Sequence, residues 1–121
     1  MSYKKPRRRK PRGEKSFKPE FRQGLFANRN HPVYVYDKID GYIYYISITH
    51  AEIHKGVKTI ELEMDPNPKS DNIRKSYLVP IFQKARSGAF GKTLIGWKFQ
   101  TDKDKVTANT IVTASKKNKH K

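Results

Sequence analysis

Apolar and polar side chains alternate most clearly between residues 32 and 49, and this pattern predicts a β-hairpin. Residues 32–39 and 42–49 are rich in β-branched and aromatic side chains, which favour strands. Asp40-Gly41 separates the two runs, and this dipeptide suits the positive φ angles of a type I′ turn. A two-residue turn fixes the register. The predicted cross-strand pairs are Ile39–Tyr42, Asp37–Tyr44, Val35–Ile46 and Val33–Ile48.

This register distributes the hairpin side chains over two faces. The predicted core side carries Val33, Val35, Ile39, Ile46 and Ile48. The opposite face carries Tyr34, Tyr36, Lys38, Ile43, Tyr45 and Ser47. Because aromatic rings beside a cation can stack on unpaired bases, the three tyrosines and Lys38 of this face are candidate nucleic-acid contacts. The alternative is that residues 97–99 or a C-terminal helix cover the tyrosines.

Shorter strand patterns follow the hairpin. Residues 59–64 alternate strictly, which predicts a strand with Ile60, Leu62 and Met64 inward. Prolines and Asx residues make the next segment, residues 65–72, a loop. Residues 76–79 predict a short strand, and residues 93–99 predict another, with Trp97 and Phe99 on its core side.

The last pattern predicts a helix and completes the fold class. Thr101 followed by Asp102 and Asp104 is typical of a helix start, with an N-cap hydroxyl and acids in the first turn. A strand is the alternative for residues 102–115, because β-branched side chains are frequent there. The elements together predict an α+β protein: a small antiparallel β-sheet with an N-terminal β-hairpin and one C-terminal helix, flanked by disordered basic termini.

Composition excludes several protein classes. The chain has 121 residues, enough for one domain, and its apolar fraction of 35% predicts a small core. It contains no cysteine, which excludes disulfide scaffolds, thiolate zinc sites and cysteine nucleophiles. No apolar run is long enough for a membrane span, and charged residues follow Met1. We therefore expect a cytoplasmic protein, which would meet polyanions at the nucleoid, the ribosome or a virion.

The net charge of +16 is concentrated at the two ends. Residues 1–30 hold 11 basic and 2 acidic side chains, a net +9, and residues 116–121 carry +4. The intervening residues carry only +3. Because neighbouring like charges repel and proline disfavours helix, we predict a disordered basic arm at residues 1–24 and a basic tail at 116–121. A single β-rich domain is predicted at residues 25–115.

The basic arm is the main candidate for binding. Its cations are Lys4, Lys5, Arg7, Arg8, Arg9, Lys10 and Arg12. Because phosphate backbones attract lysine and arginine through counterion release, the leading hypothesis is a non-enzymatic nucleic-acid-binding protein, for RNA or DNA, with no metal and no cofactor. One alternative is a solubilising or localisation tail, and another is an assembly or inhibitory protein that binds an acidic partner. A membrane is disfavoured, since no amphipathic helix accompanies the charge.

A glycine pair marks a second candidate phosphate contact. Gly88 and Gly91 are flanked by Arg86 and Lys92, a spacing like that of the backbone clamp in KH domains. A P-loop is excluded, because Arg86 stands where that motif requires glycine. The alternative is a plain turn at residues 87–91.

Histidines and other proton-transfer groups provide weaker candidates. His50 and His54 would lie about 13 Å apart in a strand, too far to share zinc, so two exposed loop histidines are expected. A small metal-independent ribonuclease, toxin-like, would use side chains that move protons and stabilise a charged phosphate. The residues that could do so are His31, His50, His54, Glu61, Glu63, Arg74 and Tyr77.

Several short segments resemble small basic proteins of phages and mobile elements of AT-rich bacteria. They are the runs at residues 31–36, 48–51 and 96–99, together with Asn67-Pro68, Ser76-Tyr77 and Phe90-Gly91. This resemblance implies a phage or mobile-element origin and transfers no active site.

Overall fold

The computed structural model describes residues 17–26, 29–81 and 83–119. Within these ranges the chain forms nine β-strands and one α-helix. The strands are β1 (Glu20–Phe26), β2 (Arg29–Ile39), β3 (Tyr42–Thr49), β4 (Ile53–His54), β5 (Val57–Lys58), β6 (Ile60–Glu61), β7 (Tyr77–Leu78), β8 (Gln83–Arg86) and β9 (Phe90–Thr93). The helix is α1 (Asp102–Lys119). The predicted α+β class, with a small antiparallel sheet and a C-terminal helix, is confirmed.

Strands β1, β2 and β3 form an antiparallel meander at the centre of the sheet. Strand β9 pairs with the outer edge of β1, and β7 and β8 pair with successive parts of β3. Strand β6 continues the sheet beyond β7, while β4 and β5 form a separate two-stranded hairpin. All these pairs are antiparallel.

A short connection forces the sheet to curl. Strands β8 and β9 pair with opposite edges of the meander, yet only a 3₁₀ turn, Ser87–Ala89, joins them. Four residues of chain, from Arg86 to Phe90, span at most about 14 Å. In a flat sheet, strands at these two positions would lie about 19 Å apart. The sheet is therefore a partly closed barrel with a concave inner face and a convex outer face.

The β2–β3 hairpin and its turn are confirmed, but the predicted register is wrong beyond Asp37. Asp40 and Gly41 have φ angles of 54° and 82°, as a type I′ turn requires. Ile39–Tyr42 and Asp37–Tyr44 pair as predicted. A β-bulge at Tyr36 then shifts the strands by one residue, so that Val35 faces Tyr45 and Val33 faces Ser47. One extra residue in β2 is the physical reason.

The bulge also changes which side chains share a face, so the predicted core face is wrong in part. The inner cluster fills the barrel and consists of Val33, Val35, Ile43, Tyr45 and Phe90, with Phe17, Ala85 and Ala89 against it. The outer cluster lies between the sheet and α1. It contains Phe21, Tyr36, Tyr44, Ile46, Ile48, Leu62, Leu78, Phe99, Ala108, Ile111 and Val112. The predicted core residues Val33 and Val35 are thus separated from Ile46 and Ile48 by the sheet itself.

The predicted ends of the arm and tail also need correction. Residues 20–24 belong to β1, because they pair with β2 on one side and β9 on the other. The helix continues to Lys119, so the backbone of residues 116–119 is helical rather than extended. Residues 1–16 of the arm lie outside the described residues.

Three predicted strands are shorter than the sequence suggests, and of residues 76–79 only Tyr77–Leu78 forms a strand. Only Ile60–Glu61 of residues 59–64 pairs in the sheet, and only Leu62 of its apolar residues is buried. Met64 is exposed because the chain leaves β7 after Leu62, and Ile60 is exposed although it pairs with Leu78. Residues 94–99 form a loop beyond β9, although Phe99 is buried in the outer cluster and Trp97 packs against it. Residues 65–72 form the predicted loop.

The helix is fastened to the sheet at its first turn. The Thr101 hydroxyl accepts the Asp104 N–H at 3.1 Å, which is the predicted N-cap. The Asp104 carboxylate is 1% exposed and accepts the backbone N–H groups of Glu63 and Met64 at 2.8–3.1 Å. Apolar side chains at positions 108, 111 and 112 then cover the outer face. Within the described ranges, no helix has the length and apolar character needed to cross a membrane.

We expect Asp104→Ala to lower the free energy of unfolding by about 2–3 kcal/mol, because it leaves the backbone N–H groups of Glu63 and Met64 without an acceptor. Asp102→Ala removes a fully exposed carboxylate from the same helical turn and should lower the free energy of unfolding much less than Asp104→Ala does. Urea unfolding of both variants checks this. Equal losses in the two variants would contradict an anchoring role for Asp104.

Candidate nucleic-acid interface

The predicted arm contacts lie outside the described residues. These are Lys4, Lys5, Arg7, Arg8, Arg9, Lys10 and Arg12. The arm enters the described part of the chain beside the barrel, where Phe17 packs against the inner cluster. Residue 17 therefore lies next to the inner cluster.

The predicted tyrosine platform is wrong, because its rings lie on opposite sides of the sheet. Tyr34 and Tyr36 belong to the outer face, where Tyr34 contacts Phe21 and Phe99 at ring-centroid distances of 5.1 and 4.9 Å. Tyr45 lies inside the barrel, 5.3 Å from the Phe90 ring, and its hydroxyl donates to Gln83 Oε1 at 3.0 Å. The alternative, that residues 97–99 and the helix cover these tyrosines, is confirmed for Tyr34 and Tyr36.

Burial changes the acidity of these phenols. The pKa of Tyr34 and the pKa of Tyr45 are both raised by loss of water around the hydroxyl group. Of the predicted hairpin contacts, only Lys38 is exposed, and its backbone N–H binds the Asp37 carboxylate. A base could not reach the faces of the Tyr36 or Tyr45 ring without unfolding part of the sheet.

A different aromatic residue, Tyr42, lies beside the predicted contact Arg86. The guanidinium carbon of Arg86 is 4.6 Å from the centre of the Tyr42 ring, and Nη2 donates to the Tyr42 hydroxyl at 3.2 Å. Lys84 Nζ lies 4.8 Å from the same ring centre. These contacts follow from strand pairing, since Arg86 faces Tyr42 and Lys84 faces Tyr44 across β8 and β3. Sequence analysis missed Tyr42 and Lys84, although Gln83-Lys84-Ala85-Arg86 has the polar alternation of an edge strand.

The segment that contains Arg86 differs in charge from the rest of the folded chain. Residues 72–101 contain six basic side chains and no acidic one. One of these six cations, Lys75, pairs with Glu61, and the other ion pairs found between described residues are Arg22–Glu20, Lys103–Glu63 and Lys105–Asp102. Lys84, Arg86 and Lys92 are exposed and take part in none of these pairs. Their charge is therefore available to an anionic ligand.

The glycine pair forms a turn between strands, not a clamp between helices. Gly88 lies in the 3₁₀ turn with open space around its Cα, whereas Gly91 packs against Leu25 and Gln23. The Gly91 carbonyl accepts two hydrogen bonds from the Arg22 guanidinium. The plain-turn alternative is thus confirmed for residues 87–89, whereas Phe90 and Gly91 belong to β9. Arg86 and Lys92 lie at the two ends of this turn, on β8 and β9.

The candidate ribonuclease residues do not converge on one point. Glu61 and Tyr77 are cross-strand partners and line an open groove of about 540 Å³ with Glu52 and Lys58. Burial, followed by the charges of Glu52 and Glu61, raises the pKa of Tyr77. His50 contacts the Lys75 carbonyl at 2.9 Å nearby. The remaining candidates lie elsewhere: His31 and His54 are together, Glu63 is at the helix start, and Arg74 is an exposed loop residue.

The two histidines predicted as loop residues have different environments. His50 is exposed after β3, whereas His54 lies in β4, half-buried, with its ring centre 6.5 Å from that of His31. The expectation of an exposed loop position is therefore wrong for His54, because the β4–β5 hairpin folds against the start of β2. No group of three metal-ligating side chains occurs among the described residues.

The raised pKa of Tyr34 predicts a loss of stability in alkali. Above pH about 10 the unfolded chain releases tyrosine protons that the folded protein retains, so the free energy of unfolding falls as pH rises. We expect Tyr34→Phe to reduce this alkaline loss, while changing stability at pH 7 by less than about 1 kcal/mol. Urea unfolding at pH 7, 10 and 11 measures both. An unchanged alkaline slope would count against the burial of this phenol.

Comparison of the chain with protein-family models, with curated proteins and with solved structures gives no match. Function must therefore be inferred from the positions and charges of the chain's own residues.

Proposed function

We propose that this protein binds nucleic acid without catalysing a reaction, mainly through sequence-independent contacts with the phosphate backbone. The observation that carries this proposal is the distribution of positive charge. The first 30 residues carry +9, and the 30-residue run 72–101 in the folded part has cations but no carboxylates. Arg22 and Lys75 pair with Glu20 and Glu61, but Lys84, Arg86 and Lys92 take part in no such pair, so a polyanion can neutralise them without displacing an internal carboxylate.

The arm would supply most of the affinity and the folded domain would position it. Seven basic side chains lie between residues 4 and 12. If each neutralised one phosphate, the logarithm of the binding constant on duplex DNA would fall with the logarithm of salt concentration with a slope of about −6. Arginine, which supplies four of the seven cations, adds bidentate phosphate geometry.

Origin and location follow as parts of the same proposal. The resemblance of several short segments to small basic phage and mobile-element proteins is consistent with a protein that handles nucleic acid. A cytoplasmic location, at the nucleoid, the ribosome or a virion, would give access to such ligands.

The arm can be tested without truncating the folded domain. We expect replacement of its seven cations between residues 4 and 12 by glutamine to flatten the salt slope on duplex DNA by about 6. A matched control keeps the same residues in scrambled order, and it should bind like the unaltered chain because phosphate attraction does not depend on sequence. Fluorescence anisotropy between 50 and 200 mM salt gives the slopes. An unchanged slope in the glutamine variant would place the binding charge in the folded domain.

A small ribonuclease is the second candidate, and the groove beside β6 and β7 is the observation that favours it. A carboxylate pair, Glu52 and Glu61, lies there with Lys58 and the Tyr77 phenol, groups that could exchange protons with a ribose hydroxyl and stabilise charge on phosphate. We expect the protein to leave RNA intact during incubation in chelator. Cleavage that disappears in Tyr77→Phe and Glu61→Gln would instead support the ribonuclease.

An acidic protein partner is distinguished by capture from a lysate treated with nuclease. Under the proposed function, nuclease treatment abolishes capture by the basic arm. An acidic protein would remain bound.

A further inference from the structure

We propose that Arg86, Lys84 and Tyr42 form a site for one nucleotide of a single strand, with the base stacked on the Arg86 guanidinium and a phosphate held by Lys84. This inference rests on the proposed function and assigns part of it to the folded domain. It names a contact that reads exposed bases, in addition to the charge contacts of the arm.

The Arg86 guanidinium is held in place before any ligand binds. The ring of Tyr42 lies beneath it at 4.6 Å, and the Tyr42 hydroxyl accepts its Nη2–H. The guanidinium also lies close to Gly41 in the hairpin turn, where Nη1 would be 3.9 Å from an added Cβ. A guanidinium fixed in this way loses little conformational freedom when a planar ligand stacks on it.

The guanidinium is fixed without being neutralised. Its contacts are with a phenol ring, a hydroxyl and a glycine, and the paired carboxylates Glu20, Glu61, Glu63 and Asp102 are bound to other cations. Arg86 therefore offers both a flat cationic surface and open hydrogen-bond donors.

Lys84 lies at the spacing needed for an adjacent phosphate. It is two residues from Arg86 on the same side of β8, about 7 Å along the strand, and it approaches the same ring. Strand β8 pairs only with β3 among the described elements, so its other edge is open. The following turn carries Gly88, where an added Cβ would meet no atom within 4 Å beyond its chain neighbours.

The chemistry favours an unpaired strand over a duplex or an acidic protein. A stacked guanidinium recognises the face of a base, and that face is accessible only when the base is unpaired. A carboxylate of a protein partner would use the positive charge but not the planar surface. Replacing Arg86 by lysine should therefore weaken the binding of an unpaired base but not the binding of a carboxylate.

Arg86→Lys is the decisive variant, because it keeps the charge and removes the plane. The probes are a labelled ten-nucleotide oligothymidylate and an abasic deoxyribose phosphate strand of the same length. We expect Arg86→Lys to weaken oligothymidylate binding about tenfold and to change abasic binding less than twofold. Lys98→Gln removes an exposed cation from the same acid-free run, and it should weaken binding to both probes equally and slightly.

The outcomes separate this inference from the proposed function. If the unaltered protein binds both probes and Arg86→Lys binds them equally well, the stacking site is wrong and the phosphate-binding function stands. If Arg86→Lys weakens both probes equally, the site recognises charge alone and stacking is again wrong. If the unaltered protein binds no strand, single or double, the proposed function itself fails.

A second measurement avoids substitution altogether. Oligonucleotides that carry a photoreactive base crosslink on irradiation to the side chains that the base contacts, and mass spectrometry locates the linkage. Because Tyr42 covers the far side of the guanidinium, we expect crosslinks to Arg86 and its neighbours in residues 84–88 of the unaltered protein. Crosslinks found only in residues 1–16 would overturn the inference.

Discussion

The three-residue connection Ser87–Ala89 is the constraint on which the rest of the architecture depends. Because it joins strands that pair with opposite edges of the meander, the sheet has to curl. Curling gives the barrel an interior, which Val33, Val35 and Phe90 fill completely enough to be nearly inaccessible to solvent. It also holds β8 against β3, and that pairing is what sets Arg86 over Tyr42.

A second constraint is the bulge at Tyr36, which lets side chains of one hairpin contribute to both the inner and the outer cluster. In residues 33–36 the two valines lie inside the barrel and the two tyrosines lie on the face covered by the helix. Beyond it, Ile39 must also lie on the helix side. Strict alternation would place Tyr36 and Ile39 on opposite faces, since their positions differ by three. The extra residue restores both to one face, and Asp104 then holds α1 over that face.

Charge and structure are divided between different parts of the chain. Several acidic side chains of the body serve structural tasks: Asp104 binds backbone N–H groups, Asp65 and Asp71 cap turns, and Glu61 pairs with Lys75. The run from residue 72 to residue 101 lacks such groups altogether. Apart from Lys75, its cations are therefore left for an external anion, and the Arg86–Tyr42 contact shows how one of them is fixed without being neutralised.

Local interactions explain why part of the fold could be predicted from sequence. Asp40-Gly41 selects its turn by backbone preference, and Thr101 with Asp102 starts a helix by satisfying free N–H groups and the helix dipole. The loop at residues 65–72 follows from prolines and Asx side chains that bond to their own backbone, as Asp65 and Asn67 do. The turn, the helix start and the loop each depend on contacts between residues that are close in the sequence, so the sequence is enough to predict them.

The rest of the fold and of the candidate site depends on pairing between residues that are far apart in the sequence. Residues 20–24 resemble a polar continuation of the arm until β2 and β9 supply partners on both sides. The tyrosines of β2 and β3 resemble a single surface until the bulge and the helix separate and cover them. Tyr42 and Arg86 are 44 residues apart, and no local preference links them. Sequence alone determined the turn, the helix start and the excess of positive charge, because each depends on neighbouring residues or on composition. Which aromatic ring meets a cation follows from the three-dimensional pairing of the strands, because strand order depends on how the whole sheet closes.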